Sequence, residues 1–163
     1  MAEKYHVRLA KEHFVFSAAH FITFGNNVCE RLHGHNYRVE AQLHGPLDDN
    51  QYVIDFIQVR DTLAEITRQL DHHVLLPTGH PTIHVACIDD EVTATFEDRR
   101  WVFPRGDCVL LPVENTTAEL LARHIGLSLL EALREQGAAR PQRACVSVDE
   151  CNGQLGVWSW DAE

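Results

Sequence analysis

Residues 33–44 read HGHNYRVEAQLH, and this stretch decides how the chain folds. From residue 36 onward, apolar and polar residues alternate, which is typical of a β-strand with one buried face. The apolar positions are Tyr37, Val39, Ala41 and Leu43, and the polar ones are Arg38, Glu40 and Gln42. The pattern predicts a half-buried strand over 36–44, with His33 and His35 at its entrance.

The two histidines at the strand entrance indicate a metal site. Residues i and i+2 of a strand face the same side, so the imidazoles of His33 and His35 can reach one ion. His20, which ends the upstream segment FSAAH at 16–20, adds a third neutral nitrogen. Three nitrogen ligands with an open fourth position form the ligand set of a catalytic zinc ion. The alternative is a pair of ordinary polar residues at the start of a strand.

Two amphipathic helices are predicted from apolar residues that recur at steps of three and four. The first begins after Asp55, which is suited to an N-cap, and runs to Leu70. The second begins at Thr116, with Glu119 as its capping-box partner, and stops near Gly137.

The remaining apolar segments predict β-structure. They are 7–16 (with a polar interruption at Lys11 and Glu12), 82–112, 143–150 and 154–161. The order is strand, strand, helix, extra β segment, helix, strand, strand. That order predicts an α+β fold, in which an antiparallel sheet carries helices on one face. A length of 163 residues suits a single domain over 1–163.

Composition argues against several classes of function. The formal net charge is −10, and no basic cluster accompanies aromatic residues, so we expect no nucleic-acid partner. The apolar runs are too short to span a membrane, and the first residues lack the apolar core of a secretory signal. Five cysteines without a Cys-x-x-Cys pair favour free thiols in a reducing cytoplasm.

Two further motifs have side chains suited to proton transfer. Cys29 precedes His33 by four residues, and a catalytic thiol there would need a pKa lowered by Arg31 or by a bound metal. The alternative is an ordinary loop thiol. Asp71 and His72 follow the first helix and form a carboxylate–imidazole pair suited to a proton relay. The alternative is a histidine favoured by the dipole at a helix end.

Three more polar residues are candidates for contacts with a ligand. Glu150 ends an apolar strand, where a carboxylate can hold an aminopyrimidine edge with two hydrogen bonds. The alternative is a solvated acid at a strand end. Thr117 and Glu119 already have a sufficient structural role in the helix cap.

Six segments, taken in chain order, resemble the 6-pyruvoyltetrahydropterin synthase and 6-carboxytetrahydropterin synthase family. They are FSAAH (16–20), Cys29 with HGHNY (33–37), VIDF (53–56), LDHH (70–73), TTAE (116–119) and VDE (148–150). The resemblance covers nearly the whole chain apart from about 77–113. Three residues separate Cys29 from His33, as in the carboxy branch of the family, whereas the pyruvoyl branch has five.

The resemblance implies the tunnelling fold, a four-stranded antiparallel sheet with two helices between strands two and three. It also implies a homo-hexamer with its sites at subunit interfaces. The implied enzyme is a zinc-dependent lyase that converts 7,8-dihydroneopterin triphosphate into 6-carboxy-5,6,7,8-tetrahydropterin, acetaldehyde and triphosphate, on the path to queuosine and other deazapurines. The implied site residues are His20, His33 and His35 for zinc, Cys29, Asp71 and His72 for catalysis, and Glu150, Thr117 and Glu119 for the pterin substrate.

One segment, about 78–113, departs from the short connection typical of the carboxy branch. It predicts an inserted β segment that could reshape the mouth of the site or the assembly. Two alternatives therefore stay open. The first is a 6-pyruvoyltetrahydropterin synthase or another pterin side-chain lyase, such as one that forms a hydroxymethylpterin. The second is a non-catalytic relative that binds zinc or pterin.

Overall fold

The computed structural model describes residues 3–12 and 14–163. The strands are β1 (Tyr5–Leu9), β2 (Val15–His20), β3 (Thr23–Phe24), β4 (Val28–Cys29), β5 (His33–Gly45), β6 (His73–Pro77), β7 (His84–Ile88), β8 (Glu91–Phe96), β9 (Arg99–Pro104), β10 (Cys108–Leu111), β11 (Arg143–Asp149) and β12 (Leu155–Asp161). The helices are α1 (Phe56–Leu70) and α2 (Ala118–Glu135), and a 3-10 turn covers Arg105–Asp107.

The main sheet is built on the long strand β5. Both β1 and β2 pair antiparallel with the same edge of β5, β1 with its second half and β2 with its first half. The strand predicted over 7–16 is therefore two strands, and the break contains the predicted polar interruption. On the other edge, β11 pairs antiparallel with β5, and β12 with β11. Because α1 and α2 lie between β5 and β11 in the chain, the predicted α+β tunnelling fold is confirmed.

Strand β5 begins earlier than predicted, at His33 rather than at residue 36. The ladder with β2 extends to the pair His20 and His33, so the histidines lie within the sheet. Gly34 permits this pairing, since a Cβ at that position would lie 3.2 Å from the Ala18 carbonyl oxygen.

Both helices pack on one face of the sheet. Buried residues of α1 and α2, including Leu63 and Ile125, meet the apolar face of β5 that the alternation predicted. Asp55 caps α1 as predicted and accepts a hydrogen bond from the Ile57 amide. The N-cap of α2 is Thr117, one residue later than predicted. The neighbouring Thr116 is buried and donates its hydroxyl hydrogen to the Phe21 carbonyl.

The insertion widens the sheet and adds a second layer. β6 pairs parallel with β2, and β10 pairs parallel with β6, so the sheet extends beyond the expected four strands. Between them, β7, β8 and β9 form an antiparallel meander. The insertion contributes most of a second apolar cluster, called the second core below. This cluster contains Phe21, Leu76, Ile83, Val92, Ala94, Phe96 and Cys108.

Neither helix in the described part of the chain has the length and apolar character that crossing a membrane requires.

Candidate metal centre

Three histidines meet where β2 ends and β5 begins. His20 lies opposite His33 in the antiparallel ladder, and His35 follows on the same face of β5. The three potential ligand nitrogens lie within 4.8 Å of one another. His20 is 1% exposed, whereas His33 and His35 are half-buried. The sheet register thus assembles the predicted ligand set at one point.

Hydrogen bonds to the backbone fix the tautomers of two of these rings. His20 Nδ1 lies 2.8 Å from the Thr116 carbonyl oxygen, and His33 Nδ1 lies 2.8 Å from the Arg31 carbonyl oxygen. A carbonyl only accepts, so each Nδ1 carries the hydrogen and each Nε2 keeps a lone pair. A backbone carbonyl behind the ring is the usual support of a metal-binding histidine.

The Nε2 atom of His20 is buried and has no hydrogen-bond partner among the described residues. The Glu150 Oε1 atom lies 3.2 Å away, but no hydrogen bond joins the two atoms. A buried, unsatisfied nitrogen is costly unless a ligand completes it. The three nitrogens therefore fit a metal ion.

The carboxylate of Glu150 belongs to the same centre. It lies 3.8 Å from His35 Nε2 and accepts a 3.5 Å hydrogen bond from the buried Tyr37 hydroxyl. The interaction with His20 lowers the pKa of Glu150, although burial acts in the opposite direction. Burial lowers the pKa of His35, and the other two histidines add to this effect. His35 is thereby held in the neutral form that binds metal.

Cys29 and Glu30 contact different parts of the site. The Cys29 thiol packs against the second core and donates to the Glu30 carbonyl at 3.5 Å. The Glu30 Oε2 atom lies 3.7 Å from His33 Nε2. Sequence reasoning missed Glu30 as a site residue, although it directly follows the candidate thiol.

The cation that acts on Cys29 is Arg99 from β9. Burial raises the pKa of the thiol, and Glu30 and Glu97 raise it further, whereas Arg99 lowers it. The sequence drew attention to Arg31, which is near in the chain. No local pattern in the sequence connects residue 29 to residue 99, because β9 belongs to the insertion.

Asp71 and His72 form the predicted pair, with 2.8 Å between Asp71 Oδ2 and His72 Nδ1. The Ser17 backbone amide donates to Asp71 Oδ1 at 2.7 Å and is the main reason that the pKa of Asp71 is lowered. His72 is 82% exposed and has a φ of 59°, a strained value for a residue with a Cβ. Such strain is often found at functional sites.

The Asp71–His72 pair borders a groove of 490 Å³, a volume typical of small-molecule sites. Its lining includes Ser17, Ala19, Gly34 and Asn36, together with His72 and one of the three histidines, His35. The first four positions alternate along β2 and β5 with the three histidines, so these side chains lie on the opposite face of the sheet. Within one chain, His72 therefore borders the face of the sheet opposite to the one on which the three imidazoles converge.

Thr117 and Glu119 lie at the start of α2, directly after the carbonyl that holds His20. The Thr117 hydroxyl caps the helix by accepting from the Leu120 amide, and Glu119 is exposed. The helix start rests on Gly156 of β12, where an added Cβ would lie 2.4 Å from the Glu119 backbone nitrogen. The role of these two residues toward a substrate stays a prediction.

Known proteins with similar sequences have provisional names as tetrahydropterin synthases. A protein of Methanocaldococcus jannaschii, provisionally named 6-carboxy-5,6,7,8-tetrahydropterin synthase, is 34% identical over 140 residues, which is 85% of each chain. A protein of Pyrococcus horikoshii with the same provisional name is 30% identical over 117 residues, 71% of this chain and 69% of that one.

Solved structures of 6-pyruvoyltetrahydropterin synthases are also similar to this chain. The 6-pyruvoyltetrahydropterin synthase of Plasmodium vivax is 29% identical and superimposes with a TM-score of 0.88 over 99% of this chain and 100% of its own. The Plasmodium falciparum enzyme matches equally well, at 28% identity. Another P. vivax structure is a variant in which a catalytic glutamate is replaced by alanine.

The family comparison covers most of the chain. Residues 8–157 match the family described as 6-pyruvoyl tetrahydropterin synthase, so the match includes both helices, the insertion and the histidine centre. The chain belongs to the 6-pyruvoyl tetrahydropterin synthase family.

Proposed function

We propose that this protein is a zinc-dependent lyase that converts 7,8-dihydroneopterin triphosphate and water into 6-carboxy-5,6,7,8-tetrahydropterin, acetaldehyde and triphosphate. The observation that carries the proposal is the convergence of His20, His33 and His35 on one point, with two Nε2 lone pairs fixed by backbone hydrogen bonds. The provisional names of the archaeal relatives support the carboxy product. The three-residue gap between Cys29 and His33 supports it as well. The product is a precursor in the synthesis of queuosine and other deazapurines.

The three imidazoles would hold zinc, which when bound supplies a Lewis acid that polarises the hydroxyl groups of the substrate side chain. Glu150 carries a negative charge at the centre and is our candidate for the anchor of the aminopyrimidine edge of the pterin. Thr117 and Glu119 are proposed to line the same pocket. Five free cysteines, all within the described residues, support a cytoplasmic location.

Cys29 is the proposed base that removes a proton from the side-chain carbon. Its pKa is raised in the chain alone, so its thiol needs a positive charge nearby to ionise. Arg99 supplies part of that charge. His72, oriented by Asp71, is the proposed second proton carrier.

The position of the Asp71–His72 pair on the other face of the sheet supports an assembly. If a relay pair serves this metal centre, it must come from a neighbouring subunit. We therefore propose a homo-oligomer, with a hexamer as the expected form, in which each site lies at a subunit interface.

A second candidate function has Glu30 as the base and a different cleavage of the same side chain, to a hydroxymethylpterin. The observation in its favour is the distance of 3.7 Å between Glu30 Oε2 and His33 Nε2. A glutamate is also named as a catalytic residue of the P. vivax enzyme, which supports a carboxylate as the base in a related protein. A carboxylate is already ionised near neutral pH, so Glu30 could accept the proton without a thiolate.

Product analysis distinguishes the two functions. The zinc-loaded protein is incubated with 7,8-dihydroneopterin triphosphate, and acetaldehyde, triphosphate and the pterin products are measured together. Acetaldehyde in equal amount to 6-carboxytetrahydropterin supports the first function. Triphosphate release without acetaldehyde overturns it, and a hydroxymethylpterin product supports the second.

Single replacements assign the base. Cys29→Ala is expected to abolish formation of the carboxy product while the zinc content stays unchanged. Glu30→Gln, which keeps the size of the side chain, is expected to abolish the hydroxymethyl product. A protein that loses zinc together with turnover is uninformative about the base, so zinc is measured in every variant, and Cys29→Ser serves as the conservative comparison.

A further inference from the structure

One side chain of the insertion contacts the backbone of the Cys29–Glu30 segment directly. Arg99 Nη1 donates to the Cys29 carbonyl at 2.8 Å, and Nη2 donates to the Glu30 carbonyl at 2.9 Å. A guanidinium group offers these two donors in a fixed planar fork. A single arginine therefore constrains two consecutive peptide groups.

Arg99 itself is held in place by an aromatic stack. Its Cζ atom lies 4.5 Å from the centre of the Trp101 ring, a cation–π contact. Trp101 stacks on Phe21, with ring centres 4.4 Å apart and planes at 16°. Phe21 is fully buried and directly follows His20. The stack connects the insertion to both the ligand-bearing end of β2 and the segment that carries the thiol and the carboxylate.

We propose that Arg99 is a positioning residue that fixes the two peptide groups of Cys29 and Glu30 and thereby holds the Glu30 carboxylate beside His33 and the Cys29 thiol against the second core. The direction of a side chain is set by the backbone that carries it. Fixing both carbonyls therefore limits the directions that the two side chains can take. The Glu30 amide is also held, by a 2.9 Å hydrogen bond to the Ile22 carbonyl. The catalytic meaning of this constraint rests on the proposed function, but the constraint itself can be tested without substrate.

The hairpin of β3 and β4 has other anchors, one to the insertion and one to the residues just after it. The Thr23 hydroxyl lies 2.7 Å from His80 Nε2, and the Asn115 amide donates to the Thr23 carbonyl at 2.9 Å. These contacts do not involve Arg99. A replacement of Arg99 is therefore expected to loosen the Cys29–Glu30 segment while the rest of the hairpin stays attached.

Three variants separate the fork from the charge. Arg99→Met removes both and keeps much of the aliphatic stem, whereas Arg99→Lys keeps the charge but not the planar fork. Arg100→Met, at the exposed neighbouring position, is the matched control. In each zinc-loaded protein, the rate of Cys29 alkylation by iodoacetamide is followed against pH by peptide mass spectrometry. Amide hydrogen exchange is measured for residues 28–31.

The Met and Lys variants are expected to raise the high-pH plateau of the alkylation rate and the amide exchange rate by a factor of about ten or more, because each variant loses at least one charge-assisted hydrogen bond. The midpoint of the alkylation profile should move to higher pH in Arg99→Met alone, because only that variant loses the charge that opposes Glu30 and Glu97. In both variants kcat should fall more than KM rises. Arg100→Met should match the original protein.

Two results would overturn the proposal. One is an Arg99→Lys protein that exchanges and reacts like the original. The other is an equal rise in labelling at Cys29 and at the buried Cys108, which indicates general unfolding instead of local release. If the original protein does not turn over the pterin substrate, the proposed function fails, but the exchange and labelling results still decide the role of Arg99.

Discussion

At the scale of single residues, His20 has the most constrained surroundings in the metal centre. Its Nδ1 is occupied by the Thr116 carbonyl, and its Nε2 is sealed from solvent without a hydrogen bond among the described residues. An unsatisfied buried nitrogen costs about 1–3 kcal/mol. A metal ion that binds this nitrogen removes that cost, so metal binding and folding stability should be coupled.

The coupling predicts a large thermal effect of zinc. At a free zinc concentration of 1,000 times Kd, the free energy of unfolding should rise by about 4 kcal/mol, and Tm on the order of 10 °C. Removing zinc with a chelator should reverse the gain. His20→Ala should lose both the bound zinc and the zinc-dependent rise in Tm, measured by elemental analysis and calorimetry.

His84→Ala is the matched control for this prediction, because His84 is exposed on β7, outside the centre. It should keep one zinc ion per chain and the full rise in Tm. A His20→Ala protein that still binds one zinc ion per chain with unchanged affinity would contradict the assignment of the ligands.

A second prediction at this scale concerns the contribution of Asp71 to folding stability at low pH. Its pKa is lowered in the folded chain, chiefly by the Ser17 amide, so the ionised form stabilises the fold above the pKa of the unfolded chain. This stabilisation is lost as pH falls through the folded-state pKa. Asp71→Asn should therefore show a weaker loss of stability below about pH 4. The difference should stay below about 1 kcal/mol, because the side chain is 35% exposed and solvent screens it.

Urea unfolding at pH 7 and across the acid range measures the Asp71 effect. Asp49→Asn, which removes a carboxylate from an exposed loop position, serves as the comparison. If Asp71→Asn and the original protein lose stability in parallel down to pH 2, the ionised carboxylate of Asp71 does not stabilise the fold.

At the scale of elements, the metal centre depends on how closely β2 approaches β5. Gly34 lies between the two β5 histidines and faces the backbone of Ala18. A side chain there would separate the strands just where they position His20 opposite His33. The glycine of the HGH motif is thus explained by the sheet, in addition to any role in the chemistry.

Gly34→Ala tests this close approach. The new Cβ would lie 3.2 Å from the Ala18 carbonyl oxygen, so the strands must separate by a few tenths of an ångström. We expect a loss of about 1–3 kcal/mol in stability and a 10- to 100-fold loss in zinc affinity, because the support of the ligands shifts. Gly106→Ala, where nothing lies within 4 Å of the new Cβ, should change neither quantity. Unchanged zinc affinity in Gly34→Ala would contradict the explanation.

Local patterns in the sequence predict some elements of this fold and miss others. The alternation in β5 and the three-and-four spacing in α1 are local patterns, and both elements were predicted, although β5 begins at His33 rather than at residue 36. The parallel pairing of β6 with β2 was not predicted, because a short apolar run does not reveal which strand it joins. Glu30 and Arg99 were missed for a related reason. Their importance comes from contacts across the fold, such as that between residues 29 and 99, which no local spacing reports.

At the scale of the whole molecule, one chain holds the two parts of the proposed site on opposite faces of its sheet. The histidine centre lies on the face that also carries buried Tyr37, and the Asp71–His72 pair borders the groove on the other face. A strand at an edge of the sheet, such as β12, leaves backbone groups available for pairing with another subunit. Assembly of identical chains is the simplest way to unite the two parts.

Mixed oligomers test this arrangement directly. His20→Ala lacks the metal centre and His72→Ala lacks the relay, so each protein alone should be inactive. When the two are co-expressed with different tags and purified together, a site regains activity if its histidine centre comes from the His72→Ala chain and its relay from the His20→Ala chain. Random mixing of equal amounts satisfies both conditions in about one quarter of the sites. About a quarter of the original turnover is therefore expected.

A mixture of His20→Ala and His33→Ala is the matched control for the mixed oligomers. Both chains lack the metal centre and keep His72, so no arrangement of subunits restores a complete site, and the mixture should stay inactive. Light scattering confirms that each mixture assembles to the same size. If the mixture of His20→Ala and His72→Ala also stays inactive at that size, the relay and the metal centre do not meet across a subunit interface, and the relay role of His72 has to be abandoned, since within one chain the two lie on opposite faces of the sheet.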